Sequence, residues 1–242
     1  MIPLRDDIPT ENKPLVTYFL IGLCVLVFVM ELSSQSYRTG ELFYSYGLIP
    51  SVLVGHNQLP EDLYVFPAYL TIITSMFMHG GFMHLIGNML YMWIFADNIE
   101  DTLGPRKFII FYLLSGFGAA MAQVLMDTSS QVPMVWASGA IGGVLGAYLI
   151  NHPNAKVLVL IPFGFFSQLI KIRALYVLGF WFVLQFINSG MSSSQGGGGG
   201  GGGGVAYAAH IGGFLTGIIL ILFFNKYSIK YKKNTKIKGP WR

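Results

Sequence analysis

Six apolar runs, at 15–32, 83–99, 108–126, 138–151, 174–188 and 205–225, restrict what this chain can fold into more than any other feature. The first, third and sixth approach the ~20 residues that carry a helix across a bilayer core. Of the 242 residues 53% are hydrophobic and 11% charged, whereas a soluble domain carries roughly 25% charged residues. Too little ionic surface remains for a domain of this size in water, which excludes disorder, a collagen-like repeat and an ordinary cytosolic enzyme. The expected class is all-α: a polytopic membrane protein whose six helices occupy residues 1–225, followed by a basic tail at 226–242. Residues 42–73, with Pro50, Pro60 and Pro67, are expected to form a long first loop on the membrane surface. The short run 157–166, interrupted by Pro162, is expected to be interfacial or partly re-entrant.

The basic residues set the orientation. With six spans and an internal N-terminus, all of the 15 Lys and Arg residues except Arg38 fall on the inner side, as the positive-inside rule requires. Both termini are then cytoplasmic. The mixed charges of residues 1–13, and the lack of a small-residue cleavage site after the first run, make that run a retained anchor rather than a signal peptide. The lone Cys24 excludes an intrachain disulfide. The tail reads as a topology anchor attracted to anionic lipid, not as a nucleic-acid arm. Residues 192–204, serine-rich and then nine glycines, read as a flexible outer loop; the Lys-Ser/Thr that completes a phosphate loop is missing.

Polar side chains inside spans are costly and mark function. In this topology spans two, four and six all enter from the outside, carrying His84 and Asn88, Ser138, and His210 respectively. The fourth run makes roughly 21 Å of helix against a hydrocarbon core of ~30 Å, so Ser138 sits on the order of 9 Å below the outer boundary if its inner end reaches the cytoplasmic surface. The preceding loop, 128–137, must then dip inward, beside protein or a water-filled cavity. Ser138, Gly142 and Gly146 recur every four residues with Gly139 and Gly143 beside them, and Ala209, Gly213 and Gly217 do so in the sixth run. Such small residues let backbones approach closely.

These residue types define a reaction. Ser138 would be the nucleophile and His210 the general base, later the acid for the leaving amine. Backbone N–H groups at the start of span four, around Gly139, would hold the oxyanion with Asn88 and His84. The nearest intramembrane acids, Asp97 and Asp101, fall at the far end of span two, so a dyad is expected rather than a triad. His79 and His84 are five apart without an intervening glutamate, unlike His-Glu-x-x-His, and no metal is expected. His56 and His152 belong to loop or span ends. No cofactor is implied, because the chemistry needs only water.

The segments Met1-Ile-Pro-Leu-Arg-Asp-Asp, His79-x4-His84-x3-Asn88, Leu103-Gly104-x-Arg106, Ala137-Ser138-Gly139-Ala140-Ile141 and Ala209-His210-Ile211-Gly212-Gly213 resemble a bacterial rhomboid protease, in order and over nearly the whole chain. The resemblance implies an intramembrane serine protease of the bacterial inner membrane that cuts other proteins within or beside their transmembrane helices. It also implies Ser138 and His210 as the dyad, His84 and Asn88 at the oxyanion site, and Phe180, Trp181 and Phe186 beside the lateral path of the substrate. The glycine run falls where the family has its mobile cap.

Two positions depart from that pattern. Trp136 stands where the family has the first glycine of Gly-x-Ser-Gly. Its ring could fill the substrate cavity, leaving open whether it narrows specificity, stabilises a closed loop or abolishes cleavage. Some members stack an aromatic, four residues after the serine, on the histidine; here that residue is Gly142, so another group must orient His210. A non-catalytic rhomboid-like protein that binds client helices is the alternative. A transporter or channel is disfavoured, because neither a charge pathway nor inverted repeats are evident.

Overall fold

A computed structural model describes residues 1–36, 40–163, 166–194 and 207–232. The glycine run at 196–204 and the tail from residue 233 onward lie outside the described residues. The fold is mostly helical. Helices α1 (Leu15–Ser33), α6 (Pro105–Met126) and the Tyr207–Asn225 stretch of α9 (Tyr207–Lys232) are long and apolar enough to cross a membrane. Helices α7 (Ala137–Asn151) and α8 (Ala174–Ser194) are apolar over shorter stretches. Helix α5 (Phe82–Leu103) carries Asp97, Glu100 and Asp101 near its C-terminus. It ends at Gly104, whose φ of 76° suits glycine, and Pro105 opens α6 at once.

The acids of α5 hold the N-terminal segment. Pro14 precedes α1 and offers no side-chain cap. Instead the Glu100 carboxylate accepts from Val16 N–H (2.9 Å), Thr17 N–H (2.7 Å) and Thr17 Oγ1 (2.8 Å). A buried anion at a helix N-terminus meets both the unpaired amides and the positive end of the dipole. Asp101 accepts in the same way from the backbone N–H groups of Glu11 and Asn12.

Among the described residues a sheet interrupts the helices, which corrects the all-α expectation. Strands β1 (Ile2–Arg5), β2 (Lys156–Phe163) and β3 (Phe166–Arg173) form an antiparallel sheet in the order β1-β2-β3. Within the segment 157–166, residues 157–163 thus belong to β2 and Phe166 opens β3. The register runs from Lys156↔Arg173 to Phe163↔Phe166, with Ile2↔Leu160 on the other side. Val157 and Val159 are buried, while Leu158 and Leu160, which alternate with them, are partly exposed, the two-residue period of a half-covered strand. Pro3 lies on an edge strand, and Pro162 lies past the residues that β1 pairs, so neither removes a needed ladder bond. The Tyr148 hydroxyl donates to the Asp6 carboxylate and Lys156 N–H to Asp7 (2.7 Å), which fastens β1 to the bundle. Burial pushes the Asp6 carboxyl above the usual range, against the opposing effect of that hydrogen bond.

Among the described residues between α1 and α5 are short helical pieces, including α2 (Glu41–Tyr46), α3 (Pro50–Leu53), a 3₁₀ turn (Ala68–Leu70) and α4 (Thr71–Thr74). They satisfy the irregular backbone that precedes Ser138. Leu48 and Met134 exchange N–H···O bonds of 3.0 and 2.9 Å, and Trp136 N–H donates to Ser75 O at 2.8 Å. Helices α7 and α9 meet backbone to backbone: a Cβ on Gly213 would lie 1.9 Å from Gly139 O, and one on Gly217 2.0 Å from Gly143 O.

Candidate active site

Ser138 is the second residue of α7 and His210 the fourth of α9. The glycine seam between these helices brings the two side chains together. His210 Nε2 lies 2.7 Å from Ser138 Oγ, a hydrogen bond between residues 72 apart in sequence. His210 is 8% exposed, so the pair sits in a protein-lined setting that excludes most water.

The hydroxyl faces a cavity of about 920 Å³, lined by Ser138, His210, His84, Asn88, Tyr91, Met134 and Trp181 among others. His84 and Asn88 lie four apart on α5 and so share its cavity face. The Asn88 amide nitrogen is buried and has no hydrogen-bond partner. An unpaired buried donor is costly, and Asn88 lines the cavity beside His84. Gly139 differs from expectation: its N–H donates to Trp136 O at 2.8 Å, and the residue does not line the cavity. Its lack of a side chain serves packing, since a Cβ would lie 2.6 Å from Ala119 Cβ.

Trp136 does not fill the cavity. Its ring is 1% exposed and packs with Leu48, Ala119, Ala120, Val124 and Ala209, outside the cavity lining. Its backbone N–H donates to Ser75 O, while its indole nitrogen is buried without a hydrogen-bond partner. The aromatic missing at Gly142 is supplied by another helix. Trp181 of α8 lies 5.6 Å from the His210 ring, centroid to centroid, with 40° between the planes, and its Cη2 lies 3.7 Å from where a Gly142 Cβ would stand. On the far side of the imidazole, Gln185 Oε1 lies 2.7 Å from Nδ1. The sequence reading did not single out Gln185, although a polar residue in an apolar run was a signal in its own right.

The remaining histidines stand apart. His79 is fully buried, its N–H near Glu31 at 3.4 Å and its ring edge-on to His84 at 5.3 Å. Burial, and after it the neighbouring His84, holds the His79 imidazole down to about 4, so it stays neutral. His152 follows α7 and His56 is exposed in the first loop. Among the described residues no group of three or more His, Cys, Asp or Glu is arranged to hold a metal ion.

Comparison with known proteins bears on the family. The rhomboid domain family matches residues 67–227, from the 3₁₀ turn through most of α9. Rhomboid protease GluP of Bacillus subtilis is 29% identical over 74% of this chain and 32% of its own length. Rhomboid protein 1, mitochondrial, of Saccharomyces cerevisiae is 27% identical over 99% of this chain and 62% of its own. The putative rhomboid protease YdcA of Bacillus subtilis is 31% identical over 50% of this chain and 57% of its own. The chain thus spans less than two thirds of the length of each. A domain match over most of the helical bundle, together with relatives named as rhomboids, assigns the chain to the rhomboid family.

Proposed function

We propose that this protein is an intramembrane serine endopeptidase that cleaves transmembrane or membrane-adjacent segments of other membrane proteins. The 2.7 Å bond between His210 Nε2 and Ser138 Oγ at the wall of the cavity carries the reading. Ser138 Oγ attacks the scissile carbonyl carbon while its proton passes to His210 Nε2. The carbonyl oxygen becomes an oxyanion that accepts from the Asn88 amide and His84. Because Gly139 N–H is engaged, Ser138 N–H at the start of α7 is the backbone donor. The imidazolium protonates the departing amine. Water then enters, loses a proton to His210 and releases the acyl group from Ser138.

Helices α1, α5, α6, α7, α8 and α9 are the six spans in this reading, with the first loop on the outer membrane surface. Both termini face the cytoplasm of a bacterial inner membrane, supported by the distribution of Lys and Arg. The lipid bilayer and substrate helices are the partners; no cofactor, metal or nucleic acid takes part. Relatives named as proteases support the reaction class.

The test uses purified protein in liposomes, a fluorophosphonate probe and a helix-destabilised transmembrane substrate. Wild type should label and cleave, and Ser138→Ala should do neither. Equal cleavage by both, or no labelling of wild type, discards the protease and leaves a client-binding protein.

A further inference from the structure

His210 has two ring nitrogens, and both are occupied. Nε2 faces Ser138 Oγ and Nδ1 faces Gln185 Oε1, each at 2.7 Å. The other end of the Gln185 amide, Nε2, donates to Trp181 O one turn back on α8, at 3.3 Å. That bond assigns the amide: its NH₂ is held by a carbonyl, and its oxygen is turned to the imidazole. An amide oxygen only accepts. Nδ1 must therefore carry the ring proton, which leaves the lone pair on Nε2, pointing at the serine hydroxyl. A base facing serine needs that tautomer, and in other hydrolases a third group fixes it.

We propose that Gln185 is the positioning residue of the Ser138–His210 pair, occupying the place that a carboxylate takes in a catalytic triad. The inference rests on the protease reading given above. Gln185 touches neither substrate nor the reacting atoms; it acts through His210. Two features make it the group that decides the ring's orientation. It is 9% exposed, so water does not compete for Nδ1. And among the described residues no carboxylate lies within hydrogen-bond distance of the imidazole; the titratable groups facing it are His84 from α5 and Tyr207 on its own helix. A neutral amide orients the ring without the added attraction an anion would exert on the imidazolium. The pair is aligned for proton transfer yet less basic than a carboxylate-supported one. Gln185 and Trp181 sit one turn apart on α8 and grip the edge and the face of one ring, so a single helix sets the orientation of the base.

The test compares full-length wild type, Gln185→Leu, Gln185→Glu and Ser138→Ala in liposomes. In Gln185→Leu, kcat should fall by about 10- to 100-fold with KM little changed, by analogy with metal-bound histidines that lose the partner orienting them. It should stay short of the ~10⁴-fold loss that a wrong tautomer causes in a Ser-His-Asp protease. Gln185→Glu should remain active, with the acid limb of its pH–rate profile moved to higher pH, because the carboxylate favours the imidazolium. Nitrogen-15 spectra, with the His210 signals assigned by their loss in His210→Ala, should show Nδ1 protonated in wild type and a tautomer mixture in Gln185→Leu. Unchanged kcat in Gln185→Leu, an unmoved limb in Gln185→Glu, or a wild-type ring protonated on Nε2 would each overturn the assignment. If Gln185→Leu does not fold, the glutamate variant and the wild-type spectrum decide. If wild type proves as inert as Ser138→Ala, the protease reading fails while the spectrum still tests Gln185.

Discussion

Helices α7 and α8 approach α9 in opposite ways. Against α9, α7 has almost no side chain in the seam: besides the contacts of Gly213 and Gly217, a Cβ on Gly146 would lie 2.2 Å from Phe214 O. Helix α8 makes its contacts through side chains. Phe182 stacks on Phe214 at 4.5 Å, and Trp181 and Gln185 reach His210. Gly179 of α8 has nothing within 4 Å of where its Cβ would be, and Phe180 and Phe186 are exposed. Backbone contact leaves no rotamer to adjust, so the distance from Ser138 to His210 is set rigidly. Side-chain contact permits small displacements at modest cost, so the orientation of His210 is the adjustable part of the site.

The sharpest way to break that contrast is Gly213→Val. The new Cβ would meet the Gly139 carbonyl, and a backbone clash of 1.9 Å cannot be relieved by rotation. No cooperatively folded protein should be recovered in detergent; a melting temperature near that of wild type would show that the seam is not rigid. Trp136→Gly probes the same rigid region from outside. Removing a ring that is 1% exposed should cost about 4 kcal/mol of stability. Because the ring lies outside the cavity, the cleavage rate should not rise; a faster variant would mean that the ring obstructs substrate after all.

Asn88→Ala should separate chemistry from packing. The loss of one oxyanion donor lowers kcat by about 10²-fold, or ~2.7 kcal/mol. Thermal stability should hardly change, since the amide nitrogen has no partner to lose. Equal losses in both would make Asn88 a structural residue. The smallest effect belongs to the side-chain-packed helix: Gly179→Ala in open space should stabilise the fold by about 0.5–1 kcal/mol. A loss of stability there would mean that α8 is packed as tightly as α7.

Much of the helical layout was readable because each apolar run carries its own evidence of length and hydropathy. Ser138 and His210 were readable as a pair because polar side chains are rare among apolar residues, and the spacing of small residues on their helices foretold close approach. The sheet was not. Residues 157–166 form a short apolar run, which periodicity alone does not assign to helix or strand. Phe166–Arg173 follows it directly in sequence, but Ile2–Arg5 is brought to it only by the fold. Which amide is engaged at the start of α7 was not legible for a related reason, since a helix N-terminus has several amides and local sequence does not say which are already bonded.

The order of residues alone therefore determined that this chain would build apolar helices, with a serine and a histidine on two of them able to pack closely, because hydropathy and side-chain size are local properties. The tertiary structure decided which way Trp136 turned, which amide stayed unpaired at Asn88 and that a glutamine from a third helix would hold the histidine. Each of these depends on what the neighbouring helix presents at that height, and that is a property of the packed bundle rather than of any one segment.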